Sequence, residues 1–198
     1  MARPRTFNKE EIIEKAMQCF WLHGYENASI TELEEATGIK RISLYNSFGD
    51  KEGLFIATQK LYLKQNQDYF NRCFSGDKIQ TLIDFFNGIA NQRVSSSSPF
   101  KGCMMANTTL DFHNVSNNII DNVKEFRWAI GRILITYLNR CKNSEQIKEN
   151  LDLEACSEFI LGNMWGASSS TKLYQDTKHT KKHLSVVLDV IEGWKKNE

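Results

Sequence analysis

Proline restricts the possible folds of this chain more than any other residue, because it occurs at only two positions. Between Pro4 and Pro99, about 90 residues run without a helix breaker. No segment shows the sustained alternation of apolar and polar residues expected of half-buried strands. A chain of 198 residues can also bury a substantial core. We therefore predict an all-α protein.

Residues 29–48 predict two short helices joined by a tight turn. Ser29-Ile30-Thr31-Glu32 has the form of a capping box, so a helix should begin near Ile30. Gly38 can adopt the left-handed conformation that ends this helix, and a second helix should start near Lys40. Two such helices form a helix-turn-helix. The apolar residues expected to pack them together are Leu33, Ala36, Ile39, Leu44 and Phe48.

The residues outside that small core are mostly polar, and nearly all can donate hydrogen bonds to phosphates or base edges. Lys40 and Arg41 lie at a helix start, where each cation opposes the helix dipole by roughly 0.3 to 1 kcal/mol, and a negative partner would offset that cost. Taken alone, each would be interpreted as a solvated surface charge, and the surrounding turn is what favours a DNA contact. The predicted DNA-contacting residues are Thr31, Lys40, Arg41, Ser43, Tyr45, Asn46 and Lys51.

Three motifs have the spacing of a known family: Phe20-(x)3-Gly24-Tyr25, Ser29-Ile30 and Leu44-Tyr45-(x)2-Phe48-(x)2-Lys51-Glu52-(x)-Leu54-Phe55. On these motifs, residues 7–55 resemble the N-terminal helix-turn-helix domain of the TetR family of bacterial transcription regulators. The resemblance implies that six of the predicted residues face DNA, with Tyr45 and Lys51 on phosphates: Thr31, Arg41, Ser43, Tyr45, Asn46 and Lys51.

Two residues depart from the family pattern. Lys40 stands where Ser is common at the cap of the recognition helix, and Ile42 stands where a small residue or Pro is common. Ile42 could meet a thymine methyl group or simply fill a gap. Both departures bear on the operator sequence rather than on the mode of binding.

Net charge alone does not indicate nucleic-acid binding, because it is only +1. Residues 1–53 contain seven Lys or Arg and nine Asp or Glu, so any attraction to DNA must come from a local arrangement of charge. Arg3-Pro4-Arg5 could reach into a minor groove as an arm, or it could be a frayed terminus.

The sequence predicts a cytoplasmic protein without a membrane partner, because neither a signal peptide nor an apolar run of membrane-spanning length is present. The five cysteines are an odd set without Cys-x-x-Cys spacing, which argues against a disulfide framework or a zinc site. His179 and His183 have metal-pair spacing, but the neighbouring lysines would repel a cation. We predict no cofactor and no metal.

We expect a helix-turn-helix DNA-binding domain at residues 1–50 and a helical effector-binding and dimerisation domain at residues 51–198. Apolar periodicity in the second domain predicts helices over 51–74, 79–94, 117–141, 152–174 and 180–196. A polar turn at Ser95–Ser98, followed by Pro99, interrupts this pattern.

The last two predicted helices carry apolar stripes that suit a four-helix dimer bundle. The same stripes could be intramolecular core, and periodicity does not separate the two. The family resemblance favours a homodimer, because TetR-like proteins pair through their last two long helices. The predicted interface residues are Phe159, Asn163, Met164, Leu184, Val187, Leu188 and Ile191.

The middle of the chain is rich in aromatic residues, including Phe112 and Trp128, and most should be ordinary core. The resemblance implies an effector pocket among these helices for a small apolar or aromatic molecule. Cys103 follows Gly102 near a probable helix start, so it could be a reactive thiol or a small buried hydrophobe. The predicted ligand-binding residues are Phe86, Cys103, Phe126, Tyr137 and Trp165.

These observations predict a ligand-responsive, homodimeric DNA-binding transcriptional regulator that binds double-stranded operator DNA. A repressor is favoured over an activator. Two other functions are weighed: a dimeric ligand-binding or protein-interaction module that lacks DNA recognition, and a thiol-dependent enzyme. The polar face of residues 40–51 argues against the first, and the lack of a Cys/His/Asp grouping argues against the second. We therefore predict that the protein is not an enzyme.

Overall fold

The structure, a computed structural model, describes residues 8–95, 97, 99–110 and 114–196. These residues form helices and connecting turns, with an isolated antiparallel bridge between Ile147 and Lys195. The all-α prediction is therefore confirmed. The helices are α1 (Lys9–His23), α2 (Ile30–Thr37), α3 (Arg41–Phe48), α4 (Lys51–Cys73), α5 (Gln80–Asn91), α6 (Met104–Leu110), α7 (Asn117–Asn143), α8 (Leu153–Tyr174) and α9 (Lys178–Glu192).

The predicted helix positions agree with the observed ones, and the largest difference is at α9, which ends at Glu192 instead of near residue 196. The Arg3-Pro4-Arg5 arm, Phe112 and His113 lie outside the described residues. Within the described part of the chain, every helix is too short or too polar to cross a membrane.

The chain divides into two compact units. Unit one combines the described residues up to Gln65 with Asn107–Glu125, and unit two combines Asn66–Ala106 with the described residues from Phe126 onward. The division falls inside α4, α6 and α7, so each of these helices contributes residues to both units. A domain boundary after residue 50 stays a prediction.

Local sequence signals fix where the first two helices of unit one begin. The Asn8 side chain accepts a hydrogen bond from the Glu10 amide at 3.1 Å and caps α1. The predicted capping box is present at α2, where the Ser29 amide donates to the Glu32 carboxylate at 2.7 Å and the Glu32 amide donates to the Ser29 hydroxyl at 3.2 Å. The Ser29 hydroxyl also donates to the Glu32 carboxylate, at 2.8 Å, and the two bonds from Ser29 to this carboxylate hold the pKa of Glu32 below its usual range, so the cap is charged at neutral pH.

The core of unit one is built around Phe20, whose ring meets the Phe55 ring edge-on with 4.9 Å between centroids. Leu33, Ile39 and Leu44 are buried as predicted. Other large side chains buried in unit one include Met17, Leu54 and Tyr62.

Ala36 was predicted to be part of this core, and that prediction is wrong because Ala36 is exposed. Thr37 is buried in its place, at 6% exposure. Its hydroxyl donates to the Leu33 carbonyl at 2.6 Å and accepts from the Ile39 amide at 3.3 Å. A polar side chain can be buried there because its hydrogen bonds are satisfied locally.

Gly53 allows α4 to begin directly against the end of α3. A Cβ atom at this position would lie 2.0 Å from the Phe48 carbonyl oxygen and 3.2 Å from its carbon. Both atoms belong to the backbone, so no side-chain rotation could relieve the clash. The Gly53 amide also donates to the Asp50 carboxylate at 2.7 Å, which caps the start of α4.

The core of unit two contains the predicted apolar face of α5 and the buried stripe of α9, which packs against α5 and α8. Phe74 lies near the centre of an aromatic cluster, with its ring 4.9 Å from Tyr137 and 5.2 Å from Phe85 between centroids. Trp128 was expected in this core, but it is 68% exposed and lies beneath the Arg132 guanidinium. This cation–π contact gives the exposed indole ring a favourable partner at the surface.

Gly53→Ala should lower the free energy of unfolding by about 1 to 3 kcal/mol or more, because the new methyl group overlaps backbone atoms. Gly88→Ala is the matched control, since Gly88 lies inside α5 with no atom near its Cβ position. That change should instead stabilise the protein by about 0.5 to 1 kcal/mol. Urea unfolding at one fixed protein concentration measures both effects. A Gly53→Ala protein that is as stable as the wild type, or more stable, would contradict the close approach of α4 to α3.

Candidate nucleic-acid interface

The turn between α2 and α3 has the predicted geometry. Gly38 adopts the left-handed conformation with φ of 73°, and its amide donates to the Glu34 carbonyl at 2.8 Å. Ile39 then turns inward and is buried, while Lys40 begins α3 in an extended conformation. The buried Ile39 side chain therefore anchors the turn immediately before α3.

Glu34 caps α3 from the preceding helix. Lys40, the N-cap residue of α3, makes no capping hydrogen bond through its own side chain. Instead, the Glu34 carboxylate accepts a hydrogen bond from the Arg41 amide at 2.6 Å, across seven positions of the chain. This carboxylate is the negative partner that offsets the unfavourable position of Lys40 and Arg41 at the positive end of the helix.

The predicted DNA-contacting residues all lie in unit one, on or beside α3. Lys40, Arg41, Ser43 and Asn46 are exposed, whereas Tyr45 is partly buried. Within α3, only Leu44 is fully buried. This short helix therefore offers most of its circumference to a partner. Thr31 on α2 is also exposed, and Lys51 is the first residue of α4.

The Arg41 guanidinium lies over the Tyr45 ring, 5.1 Å from the ring centroid. The two residues are one helical turn apart, so this contact holds a long side chain along the surface of α3. An arginine whose side chain is already ordered loses less conformational entropy when it binds a base or a phosphate.

Lys51 is anchored inside unit one by two contacts. Its ammonium donates to the Glu26 carbonyl at 3.0 Å and lies 4.9 Å from the centroid of the Tyr25 ring. Burial raises the pKa of Tyr25, and the nearby Glu52, Glu26 and Asp50 carboxylates raise it further, so the phenol stays neutral. An ammonium has three N–H donors, and the Glu26 bond leaves donors of Lys51 for a phosphate.

Two residues of this region have a role that the sequence reading missed. Glu34 entered the sequence analysis only as one of the nine acidic residues in 1–53, and Gly53 was an unassigned position in the family motif. A carboxylate seven residues before a helix start is no recognised capping pattern. The need for Gly at residue 53 depends on how closely two helices approach, which the sequence does not encode locally.

The five predicted ligand-binding residues all lie in unit two. Phe86, Phe126 and Tyr137 are buried, and the Tyr137 hydroxyl donates to the Lys78 carbonyl at 2.7 Å. Trp165 is partly buried against the Arg127 guanidinium, and Cys103 directly precedes α6. A surface groove of about 560 Å³ in unit two is lined by other residues, namely Tyr69, Cys73, Thr81, Asp84, Phe85, Gly88, Ile89 and Gln92. An effector role for the five residues stays a prediction.

The predicted dimer residues fall into two groups by burial. Leu184, Val187 and Ile191 are buried in the core of their own unit. The partly exposed residues are Phe159, Asn163, Met164 and Leu188. Val186 and Val190 on α9 add apolar surface, at 63% and 40% exposure.

His179 and His183 do not face a common metal position. The His179 ring stacks on the Tyr174 ring, whereas His183 hydrogen-bonds to the Asn163 side chain at 2.7 Å. Among the described residues, no cluster of three or more His, Cys, Asp or Glu side chains could hold a metal ion. The pair therefore has structural partners of its own.

Several known proteins are similar to this chain. The family model for bacterial regulatory proteins of the tetR family matches residues 12–58. The chain is 33% identical over 175 residues to the HTH-type transcriptional repressor ComR of Escherichia coli, covering 86% of this chain and 82% of ComR.

Two solved structures share the fold along nearly the whole chain. A TetR family regulator from Cytophaga hutchinsonii matches with a TM-score of 0.85 and 18% identity, over 96% of this chain and 95% of that chain. CifR, a TetR family transcriptional regulator solved as a cysteine mutant complexed with 26 bp double-strand operator DNA, matches with a TM-score of 0.79 and 25% identity. That match covers 98% of this chain and 100% of CifR.

Glu34→Ala should loosen the first turn of α3, because the Arg41 amide loses its acceptor and the helix start loses a negative charge. A lost cap of this kind costs about 0.5 to 2 kcal/mol. Hydrogen exchange of the α3 amides measures the effect directly. Glu35→Ala removes the same charge from the exposed neighbouring residue and should leave α3 exchange unchanged. Equal protection of α3 in the two variants would contradict the capping role.

Proposed function

The chain belongs to the TetR family of bacterial regulatory proteins, and from this premise we propose that it is a homodimeric repressor released from its operator by a small effector. It is a DNA-binding transcriptional regulator, as members of this family are. The observation that carries the proposal is α3, which is held at its start by Glu34 and presents Arg41, Ser43 and Asn46 to solvent. A bacterial operator lies in the cytoplasm, so we place the protein there.

The contacts of α3 with DNA divide by chemistry. Arg41 and Asn46 can each make paired hydrogen bonds to a single base in the major groove, and Ser43 can donate to a base or a phosphate. Lys40, Tyr45 and Lys51 suit phosphates, and Thr31 on α2 would reach the backbone beside the groove. Base contacts specify the sequence, whereas phosphate contacts fix the position of the helix on the duplex.

The homodimer would form through the exposed part of α8 and α9. Leu184, Val187 and Ile191 support this surface from within the unit, and Asn163, Met164 and Leu188 would meet the partner, together with Val186 and Val190. A two-fold dimer suits DNA recognition because two α3 helices can then enter half-sites one helical turn apart.

Release from DNA would follow from a shift between two conformations. We propose a small apolar or aromatic effector that binds among the aromatic residues of unit two and favours the conformation with low operator affinity. The helix α4 contributes residues to both units, so its displacement would change the position of α3. We propose that Cys103, directly before α6, adds a covalent response to electrophiles. Burial raises the pKa of Cys19, Cys73, Cys141 and Cys156, which makes those four thiols poorer nucleophiles.

The function is tested by selecting bound fragments from a genomic library with the purified protein and sequencing them. A repressor should enrich a few intergenic fragments that share a palindromic site. Recovery of random fragments would contradict sequence-specific binding.

On a selected duplex, Arg41→Ala and Lys51→Ala should weaken binding in different ways. Arg41→Ala should cost roughly 1 to 3 kcal/mol per half-site and relax the preference at one base pair. Lys51→Ala should weaken binding to all sequences alike and reduce the salt slope by about one unit per subunit. Titrations at several salt concentrations, with the selected and a scrambled duplex, separate the two. An unchanged salt slope in Lys51→Ala would show that Lys51 serves only its contacts with Glu26 and Tyr25.

Leu188→Glu should give folded monomers, because a carboxylate on the proposed dimer surface would have to be buried without a partner. Leu184→Glu is the matched comparison on the same helix, and it should disrupt folding because Leu184 is buried in its own unit. Sedimentation gives the oligomeric state, and circular dichroism gives the helix content. A Leu188→Glu protein that stays dimeric would move the interface to another surface.

A further inference from the structure

Ile42 is a large apolar residue of α3 that is 76% exposed. The sequence left open whether this side chain fills a gap, and its exposure excludes that role. Successive residues of an α-helix are about 100° apart, so Ile42 and Leu44 differ by about 160° around the axis. Because Leu44 points into the core, Ile42 lies on the opposite side of the helix, which faces away from unit one.

A single exposed aliphatic residue needs no explanation at an arbitrary position on a protein surface. Ile42 is different because of its neighbours. It lies between Arg41 and Ser43, and Asn46 follows one helical turn later on the same side. Ile42 therefore lies in the middle of the polar surface that, in the proposed function, enters the major groove.

The side chain of Ile42 is well suited to a fixed contact. A β-branched residue in a helix is restricted to one strongly preferred χ1 rotamer, so its methyl groups have a defined position. Little side-chain entropy remains to be lost when the helix binds a partner. Ile42 therefore presents a conformationally restricted apolar surface on α3.

The edges of base pairs in the major groove offer one methyl group, the C5 methyl of thymine. Most of the other groups exposed there are hydrogen-bond donors and acceptors, which an isoleucine would desolvate without compensation. We propose that Ile42 packs against the C5 methyl of one thymine in each half-site and so specifies that base. The inference rests on the proposed DNA-binding function and adds a reading residue to it.

The contact can be tested by truncating either partner, the thymine methyl group or the Ile42 side chain. The probe is a duplex selected by the protein from the genomic library, in which each thymine in turn is replaced by deoxyuridine. This change deletes only the C5 methyl and preserves base pairing. The protein variants are Ile42→Ala, which shortens the side chain at an exposed position, and Ser47→Ala, a control on the same exposed helix.

One thymine in each half-site should show the contact. Its replacement by deoxyuridine should weaken binding of the wild-type protein by about fourfold per half-site, the value expected for one buried methyl group. The same replacement should have no effect on Ile42→Ala, and the full effect should persist in Ser47→Ala.

Two results would overturn the inference. If no thymine is sensitive, or if Ile42→Ala is as sensitive as the wild type, then Ile42 does not read a methyl group, while operator binding itself still stands. If the protein enriches no duplex at all, both the inference and the proposed function fail. Circular dichroism of Ile42→Ala confirms that a lost effect does not come from a lost fold.

Discussion

The candidate interface depends on how a helix of eight residues is held in place. A helix this short is not stable alone in water, so its orientation is set by what fixes its ends. The Glu34 carboxylate binds the first amide of α3, and the close approach at Gly53 brings α4 against its last carbonyl. With both ends and Leu44 fixed, the rotation of α3 about its axis is determined. That rotation decides which residues face DNA.

Much of the fold was predictable because its signals are local. The Ser29–Glu32 capping box and Gly38 fix the ends of α2, and both signals lie within one or two turns of the residues they control. The structure departs from the sequence reading where the deciding contact is distant or where polar groups find internal partners. Thr37 is buried instead of Ala36 because its hydroxyl is satisfied within its own helix. Trp128 is exposed, and its ring has the Arg132 guanidinium as a partner at the surface.

The exposure of the predicted DNA-contacting residues on α3 could be anticipated from the sequence, but their contacts within the protein could not. The family motif and the polarity of residues 40–51 identified the exposed residues of α3. They did not show that Arg41 is ordered on Tyr45 or that Lys51 is bound to Glu26. In α9, periodicity identified one apolar stripe, although its residues divide between the core of unit two and a surface open to a partner. Burial distinguishes these groups, and periodicity does not.

The charge of the DNA-binding region shapes how such a protein would achieve specificity. Residues 1–53 carry more acidic than basic side chains, so attraction to DNA of any sequence should be weak. Glu34 is one of these acidic residues, and its carboxylate stabilises the start of α3 while it places a negative charge beside that helix. Strong binding then requires several favourable contacts at once in the groove. A short helix with a fixed rotation, an ordered Arg41 and a rigid Ile42 can supply those contacts only on the correct base sequence.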